Sequence, residues 1–246
     1  MTDVADTTDP AGARAPTPAP SARRIVVALD GPASSGKSSV GAAAAARLGL
    51  RFLDTGLIYR AMTAMALREG AALDDAAAIV PLAGRVTLGD DGTGKLTRVL
   101  LDGEDATDSI RSDAVDGAVS AVARVPEVRA ALLARQRALA AGGGIVVVGR
   151  DIGTVVLPDA GLKVFLDASV EARADRRIAE RSLDPDGDEA EVVREQLRTR
   201  DDQDRNRAVA PLRPAEDAVH VSNDGTFEQA VDSVVAAIVA AEETTA

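Results

Sequence analysis

A glycine-rich segment near the N-terminus carries the residues best suited to chemistry on phosphate groups. Residues 31–38 read Gly-Pro-Ala-Ser-Ser-Gly-Lys-Ser and fit the pattern G-x-x-x-x-G-K-[ST]. In this pattern the two glycines let backbone N–H groups turn toward phosphate oxygens, and the helix that follows adds its positive N-terminal end. Lys37 is placed to reach the terminal phosphates of a nucleoside triphosphate, and the Ser38 hydroxyl to ligate Mg²⁺.

The segments on either side of this loop support that interpretation. Residues 24–29 form an apolar, β-branched run typical of a buried strand, and residues 40–48 form an alanine-rich helical run that ends at Gly49. Strand, loop and helix in this order favour a phosphate-binding loop over a chance match in a Gly/Ser-rich turn. The residues that we predict to bind the triphosphate are Gly31, Pro32, Ala33, Ser34, Ser35, Gly36, Lys37, Ser38 and Ser39.

The composition of the chain excludes several other kinds of chemistry. With no cysteine and a single histidine among 246 residues, the chain has no thiol nucleophile, no Cys-ligated metal and no multi-His metal site. A net charge of −11 disfavours nucleic-acid binding, which depends on a basic surface. No apolar run approaches the roughly 20 residues of a membrane span, and the N-terminus lacks the apolar core of a signal peptide. We expect a cytoplasmic protein that binds neither nucleic acid nor membrane and, because no heptad pattern or large apolar stripe is visible, a monomer.

Strand and helix patterns alternate along most of the chain and predict an α/β fold with a five-stranded parallel sheet flanked by helices. The predicted strands are 24–29, 51–53, 145–148, 162–167 and 218–221, and the predicted helices include 73–84, 112–123, 126–140, 189–206 and 226–241. Between residues 85 and 101 two β-rich runs flank a turn rich in Gly and Asp, which predicts a hairpin outside the parallel sheet. Residues 171–207 alternate acids and bases, and fit either a solvated helical hairpin or a mobile lid that brings arginines over phosphates.

Two strand ends carry polar residues near the expected position of the loop. The buried strand 145–148 ends in Gly149-Arg150-Asp151, and ligands of parallel sheets lie at the carboxyl ends of the strands. This placement favours a ligand-binding role for Arg150 and Asp151 over a structural salt bridge. Asp54 or Thr55 is suited to cap the helix that begins near Gly56. Taken alone, Tyr59 and Arg60 one turn later need be no more than helix surface.

Four separated blocks, residues 30–38, 53–60, 149–160 and 200–212, together resemble bacterial cytidylate kinases, of the nucleoside monophosphate kinase group of P-loop kinases. The first block is common to many ATPases, whereas the third and fourth in this order are specific. The hairpin at residues 85–101 also resembles the CMP-binding insert of that family. The resemblance extends from about residue 23 to residue 241. It implies transfer of the γ-phosphoryl group of ATP to CMP or dCMP, with Mg²⁺ as cofactor.

The resemblance also implies roles for residues on which the pattern is silent. Ser120, Arg129 and Asp151 would read the cytosine edge, since its amino donor suits a carboxylate and its acceptors suit Arg and Ser. The ribose and phosphate contacts would come from Thr55, Tyr59, Arg60, Arg150, Arg200, Asp204 and Arg207. Lys37, Arg200 and Arg207 would be catalytic, with Arg176 and Arg177 as weaker candidates. Thr55 stands where the family also has serine, and the hydroxyl is retained.

The composition of residues 1–22, rich in Asp, Thr, Ala and Pro, predicts a disordered tail. The resemblance implies a kinase domain at 23–241, followed by a short tail at 242–246. The domain comprises a core (23–84, 141–170 and 208–241), a CMP-binding insert (85–140) and a lid (171–207). Two other functions stay open at this point. One is a different P-loop kinase, such as a shikimate or dephospho-coenzyme A kinase, and the other is a nucleotide-gated regulatory ATPase.

Overall fold

The computed structural model describes residues 24–245, whose centre is one eight-stranded sheet. The strands are β1 (Val26–Asp30), β2 (Arg51–Asp54), β3 (Val86–Asp90), β4 (Lys95–Leu101), β5 (Glu104–Asp105), β6 (Ile145–Gly149), β7 (Leu162–Asp167) and β8 (Val219–Ser222). Their order is β3-β4-β2-β6-β1-β7-β8, with β5 paired to β4. The tail predicted at 1–22 lies outside the described residues.

The five predicted parallel strands are confirmed and form the centre of the sheet. β2, β6, β1, β7 and β8 are neighbours in this order and all pair in parallel. β1 and β6 are in register from Val26 opposite Ile145 to Asp30 opposite Gly149. Because parallel strands all end at the same edge, the residues that follow β1 and β6 are brought side by side there.

The expectation that the hairpin lies outside the parallel sheet is wrong. β3 and β4 pair antiparallel, as predicted, but β4 also pairs in parallel with β2 through Phe52 and Leu53. The Phe52 N–H donates to the carbonyl of Gly94 at 3.1 Å, just before β4 begins. The physical reason is that the outer edge of β2 carries backbone donors and acceptors that a second strand can satisfy.

Helices cover both faces of the sheet. They are α1 (Lys37–Leu48), α2 (Gly56–Glu69), α3 (Ala76–Ile79), α4 (Asp113–Ala123), α5 (Pro126–Ala140), α6 (Val170–Glu180), α7 (Asp188–Asn206) and α8 (Phe227–Thr245). Val27 and Leu29 of β1 point to the face covered by α1 and α8, whereas Ala28 points to the face that Ala140 of α5 covers. This alternation follows from the two-residue period of a strand.

Two predicted helix limits differ from the structure. The helix predicted at 73–84 is a single α-turn followed by a 3₁₀ segment, Val80–Arg85, because Pro81 lacks the N–H that a continuing α-helix needs. α8 runs to Thr245 and therefore includes residues 242–245, which the sequence places in a tail. Ser169 caps the N-terminus of α6, since its hydroxyl accepts from the Ala172 N–H at 3.2 Å.

α6 and α7 form a helical hairpin with its own small core. Ile178 and Val193 belong to this apolar cluster, together with Ala33 of the phosphate loop. Arg173 of α6 is only 1% exposed and forms a two-pronged ion pair with Asp201 of α7 at 3.0 and 2.6 Å. It also donates to the carbonyls of Ala33 and Ala168 at 3.1 and 3.0 Å. One buried side chain thus joins both helices to the phosphate loop.

We expect Arg173→Leu to destabilise the protein by about 3–5 kcal/mol, because it leaves the Asp201 carboxylate buried without its partner. Urea unfolding followed by circular dichroism measures this loss. The matched control is Arg198→Leu on the same hairpin, whose exposed side chain lies 3.3 Å from Glu191. It should cost no more than about 1 kcal/mol. Equal losses in the two variants would contradict a special role for the buried pair.

Candidate active site

The phosphate loop joins β1 to α1 in the conformation that its glycines require. Gly36 has φ +86°, and a Cβ there would lie 2.4 Å from Nδ2 of Asn223. A Cβ on Gly31 would lie 2.1 Å from the carbonyl oxygen of Leu166. Both positions therefore exclude a side chain, Gly36 by its left-handed backbone as well as by space.

Lys37 is folded back onto its own loop. Its ammonium donates to the Pro32 carbonyl at 3.0 Å, and its side chain is buried. Burial, and next the positive charge of Arg150, lower the pKa of Lys37 well below its usual range. A phosphate group bound in the loop would supply the negative charge that favours the protonated form.

Ser38 and Asp54 bring two oxygen ligands together beside the loop. The Ser38 hydroxyl donates to Oδ2 of Asp54 at 2.7 Å, while Oδ1 accepts from the Gly56 N–H at 2.9 Å. A hydroxyl and a carboxylate are the hard oxygen donors that Mg²⁺ takes. Within residues 24–245 no group of three or more His, Cys, Asp or Glu could hold a metal. The donor set thus fits an ion that is held mainly by nucleotide phosphates and water.

The polar residues after β6 contact one arginine of α5 and another that directly follows α7. Asp151 is buried and accepts from Nη2 of Arg129 on α5, and Nη2 of Arg207 lies 3.5 Å from its other oxygen. The guanidinium of Arg129 also stacks over the ring of Tyr59, 5.6 Å from its centroid. The structure thus gathers four residues that the resemblance assigns to CMP binding.

A second ion pair lies next to the first. Nε of Arg150 donates to Oδ2 of Asp204 at 2.8 Å, and Nη1 of Arg207 is 4.0 Å from the other oxygen of this carboxylate. Burial lowers the pKa of Arg200 to about 10, with Arg150 as the next cause. The Nε of Arg200 is buried and, within the described residues, has no hydrogen-bond partner. An anionic ligand would satisfy such a donor.

The remaining predicted site residues differ in their contacts and in their distance from the ion pairs. Thr55 is buried, and its hydroxyl donates to the Val148 carbonyl at 2.8 Å. Arg60 and Arg200 are linked through Asp116, a residue to which the sequence analysis assigns no role. Ser120 lies half-buried on α4 and is not among the residues that these ion pairs connect. The groove that opens beside Arg207 has a volume of about 470 Å³ and is lined by Arg124, Thr199, Asp202, Gln203, Asn206 and Arg207.

Two buried residues around the loop, Asp30 and Asn223, make contacts that were not predicted from the sequence. Asp30 accepts from the N–H groups of Ile152 and Gly153, both at 2.8 Å, and so ties the end of β1 to the segment after Asp151. Asn223 donates from Nδ2 to the Ser35 carbonyl at 2.8 Å, and its own carbonyl accepts from Arg176. For Asp30 there is a signal in the sequence, because a carboxylate that ends an apolar strand needs partners. Asn223 gives no such signal.

A parallel sheet whose first strand leads into this loop, with arginine–carboxylate pairs at the same edge, defines a P-loop kinase. The chain belongs to the cytidylate kinase family, because the family model described as Cytidylate kinase matches residues 27–241. This confirms the resemblance carried by the four blocks. The chain is therefore a nucleotide-binding transferase.

Individual relatives agree with the family. A cytidylate kinase of Rhodococcus jostii (strain RHA1) is 50% identical over 218 residues, which are 87% of this chain and 93% of the relative. The cytidylate kinase of Vibrio cholerae (serotype O1, strain ATCC 39315 / El Tor Inaba N16961) is 43% identical over 219 residues, 87% and 97% of the two chains. A solved shikimate kinase from Acinetobacter baumannii has a TM-score of 0.45 and 17% identity over 92% of this chain and 98% of its own, too low to support any conclusion. Between residues 24 and 245 there is no helix long and apolar enough to cross a membrane.

The burial of Asp30 leads to a prediction about pH. Burial raises the pKa of Asp30 to about 6, from a usual value near 3.9. We expect the Asp30 carboxyl carbon to titrate with a midpoint near 6 in a ¹³C NMR experiment, the signal being assigned by its absence in Asp30→Asn. A midpoint near 4 would contradict the buried environment.

The raised pKa of Asp30 also makes the free energy of unfolding depend on pH. Because the raised pKa means that the folded state holds the proton more tightly, the neutral form stabilises the fold below about pH 4. This stabilisation is lost as the pH rises to about 6, and it amounts to about 3 kcal/mol. The free energy of unfolding of the wild type should therefore fall relative to that of Asp30→Asn across this range.

Proposed function

We propose that this chain transfers the γ-phosphoryl group of ATP to CMP or dCMP, giving CDP or dCDP and ADP, with Mg²⁺ as cofactor. The observation that carries the proposal is the position of Asp151 and Arg129. Because β1 and β6 are adjacent and in register up to Asp30 and Gly149, this buried pair lies beside the phosphate loop. The loop that would bind the phosphate donor and the pair that would read the base thus lie at the same edge of the sheet.

The donor triphosphate binds in the loop of residues 31–39. The loop amides and the N-terminus of α1 face the phosphates, and Lys37 exchanges its bond to the Pro32 carbonyl for the terminal phosphates. Mg²⁺ would be held by Ser38, with Asp54 beside it, and would supply positive charge that offsets the negative charge of the phosphates.

The base of the acceptor is read by Asp151, Arg129 and Ser120. The carboxylate of Asp151 accepts from the amino group of cytosine, and Arg129 donates to its ring acceptors. Tyr59 beneath the Arg129 guanidinium and Gln136 beside Tyr59 keep this pair in place. Uracil offers the opposite polarity at two of these atoms, so that buried groups would be left unpaired.

The acceptor phosphate and ribose are bound by the remaining predicted residues, Thr55, Tyr59, Arg60, Arg150, Arg200, Asp204 and Arg207. The buried Nε of Arg200 has no hydrogen-bond partner within the described residues, and Nη2 of Arg207 has only a 3.5 Å ion-pair contact with Asp151. Both observations favour an anionic ligand here. The attacking atom is a phosphate oxygen that is ionised at neutral pH, so that no strong general base is needed. Lys37, Arg200 and Arg207 spread the charge that develops during transfer.

The insert and the lid of the kinase domain take the roles that the family resemblance implies. Residues 85–140 are the acceptor-side insert, and residues 171–207, which contain the hairpin of α6 and α7, are a lid that excludes water during transfer. We further propose that the protein is a cytoplasmic monomer.

A coupled assay of ADP release tests the substrate. With ATP and Mg²⁺ present, the acceptors CMP, dCMP, UMP, AMP and shikimate are offered in parallel, and we expect strong turnover with CMP and dCMP alone. Turnover with a different acceptor would overturn the assignment of the base-reading residues.

A pair of lysine variants completes this assay. Lys37→Ala should lower kcat by about 10² or more, because one donor to the developing charge is removed. The control Lys163→Ala removes a lysine that lies outside the predicted site and pairs at 2.9 Å with the exposed Asp217, and it should keep the wild-type rate. Near-normal activity of Lys37→Ala would overturn the role of the loop.

Base selectivity has its own test in Asp151→Asn. The amide presents an N–H donor to the amino group of cytosine, so that the ratio of kcat/KM for CMP to that for UMP should fall by about tenfold or more. The control is Asp204→Asn, which lies on the ribose and phosphate side and should lower activity on both nucleotides while leaving their ratio unchanged. An unchanged ratio in Asp151→Asn would show that this carboxylate does not read the base.

A further inference from the structure

One carboxylate outside the predicted site connects four helices. Asp116 of α4 accepts from Nη2 of Arg60 on α2 with one oxygen and from Nη2 of Arg177 on α6 with the other. Nη1 of Arg200 on α7 lies 3.9 Å from the first oxygen. The side chain of Asp116 is only 13% exposed, so these ion pairs are shielded from solvent.

The charges around Asp116 do not balance. Three guanidinium groups face this one shielded carboxylate. Arg177 also pairs with Glu180 at 3.4 Å, but the Glu180 side chain is 65% exposed. On Arg200, the repulsion from Arg150 is opposed by the attraction of Asp204. A phosphate monoester carries about −1.5 to −2 charges at neutral pH. The phosphate of a nucleoside monophosphate would therefore supply negative charge that Asp116 alone does not provide to these three arginines.

We propose that Asp116 is a positioning residue, which holds Arg60, Arg177 and Arg200 convergent on the phosphate of the acceptor nucleotide. This inference rests on the proposed function, since it takes that phosphate as the ligand. Asp116 does not touch the reacting atoms in this arrangement. It acts through the three arginines.

The need for such a residue follows from electrostatics. Without the carboxylate, three like charges a few ångströms apart in a half-buried site repel one another and spread. Binding would then have to order three long side chains again, which costs affinity. A site whose arginines are already convergent avoids this cost.

The same carboxylate links the acceptor side to the lid. Arg177 belongs to α6, whereas Arg60 belongs to α2. Asp116 therefore couples the position of the α6–α7 hairpin to that of Arg60 on the acceptor side. A second bridge between α4 and α6, from Arg181 to Asp113 at 2.5 Å, lies one turn away on each helix. It does not reach Arg60 or Arg200, and the Asp113 side chain is 85% exposed.

These two bridges provide a matched pair of variants, Asp116→Asn and Asp113→Asn. In steady-state kinetics we expect Asp116→Asn to raise the KM for CMP about tenfold, which corresponds to about 1.4 kcal/mol, with the KM for ATP changed less than about twofold. Asp113→Asn should leave both KM values within about twofold of the wild type. Asp116→Glu, which keeps the charge, should recover part of the affinity for CMP.

Calorimetric titration with CMP and with cytidine separates positioning from general damage to the fold. The dissociation constant of CMP should rise in Asp116→Asn, and that of cytidine should not. Unchanged CMP affinity with a lowered melting temperature would show a merely structural role. A lower KM for CMP would show that the carboxylate competes with the phosphate. Either result overturns the proposal.

The wild-type chain is measured first, so that the two proposals can fail separately. If the wild type binds CMP without phosphorylating it, the proposed reaction fails, and the ratio of CMP dissociation constants still decides the role of Asp116. If the wild type phosphorylates CMP and Asp116→Asn has an unchanged KM, only the role of Asp116 fails. If the wild type does not bind CMP, both proposals fall.

Discussion

Mutual repulsion among buried and half-buried arginines at one edge of the sheet is the constraint on which the site depends. Six of them, Arg60, Arg129, Arg150, Arg177, Arg200 and Arg207, surround three carboxylates, Asp116, Asp151 and Asp204. Each carboxylate contacts arginines from more than one element, so the ion pairs that make burial tolerable also set the relative positions of α2, α4, α5 and α7. A phosphate ligand would supply negative charge to balance the positive charge that the three carboxylates leave uncompensated.

The backbone of the phosphate loop is held by a separate set of uncharged and charged contacts. Arg173 binds the carbonyl of Ala33, Asn223 binds that of Ser35, and Asp30 anchors the strand that enters the loop. With these carbonyls occupied from behind, the loop amides are left to face the phosphates. Gly36 is necessary for this arrangement for two reasons. Its left-handed backbone favours glycine, and a side chain there would collide with Asn223.

The sequence predicts those parts whose signal is local. The loop, the five parallel strands and the place of Arg150 and Asp151 follow from motif, alternation and strand ends. The pairing of β4 with β2 could not be predicted, because an edge can be satisfied by any strand that reaches it. The roles of Asp116 and Asn223 could not be predicted either, since their partners are distant in the sequence. The contact from Asp116 to Arg177 spans 61 positions, and that from Asn223 to Ser35 spans 188. Nothing near either residue in the sequence marks such a partner.

The charged segment that fits both a solvated hairpin and a lid has features of each. Arg194 and Arg198 make exposed pairs within α7, whereas Arg173 and the apolar residues around Ile178 join α6 to α7. Because this core and the buried pair lie within the hairpin, the hairpin is one unit. Besides the packing of Ala33 and the hydrogen bonds from Arg173 and Arg176 to the carbonyls of Ala33 and Asn223, its contacts at the site include ion pairs. These are made by Arg177, Arg200, Asp204 and Arg207. A shift of the hairpin that keeps its contacts with Ala33 would exchange carboxylates for phosphates as partners of these arginines.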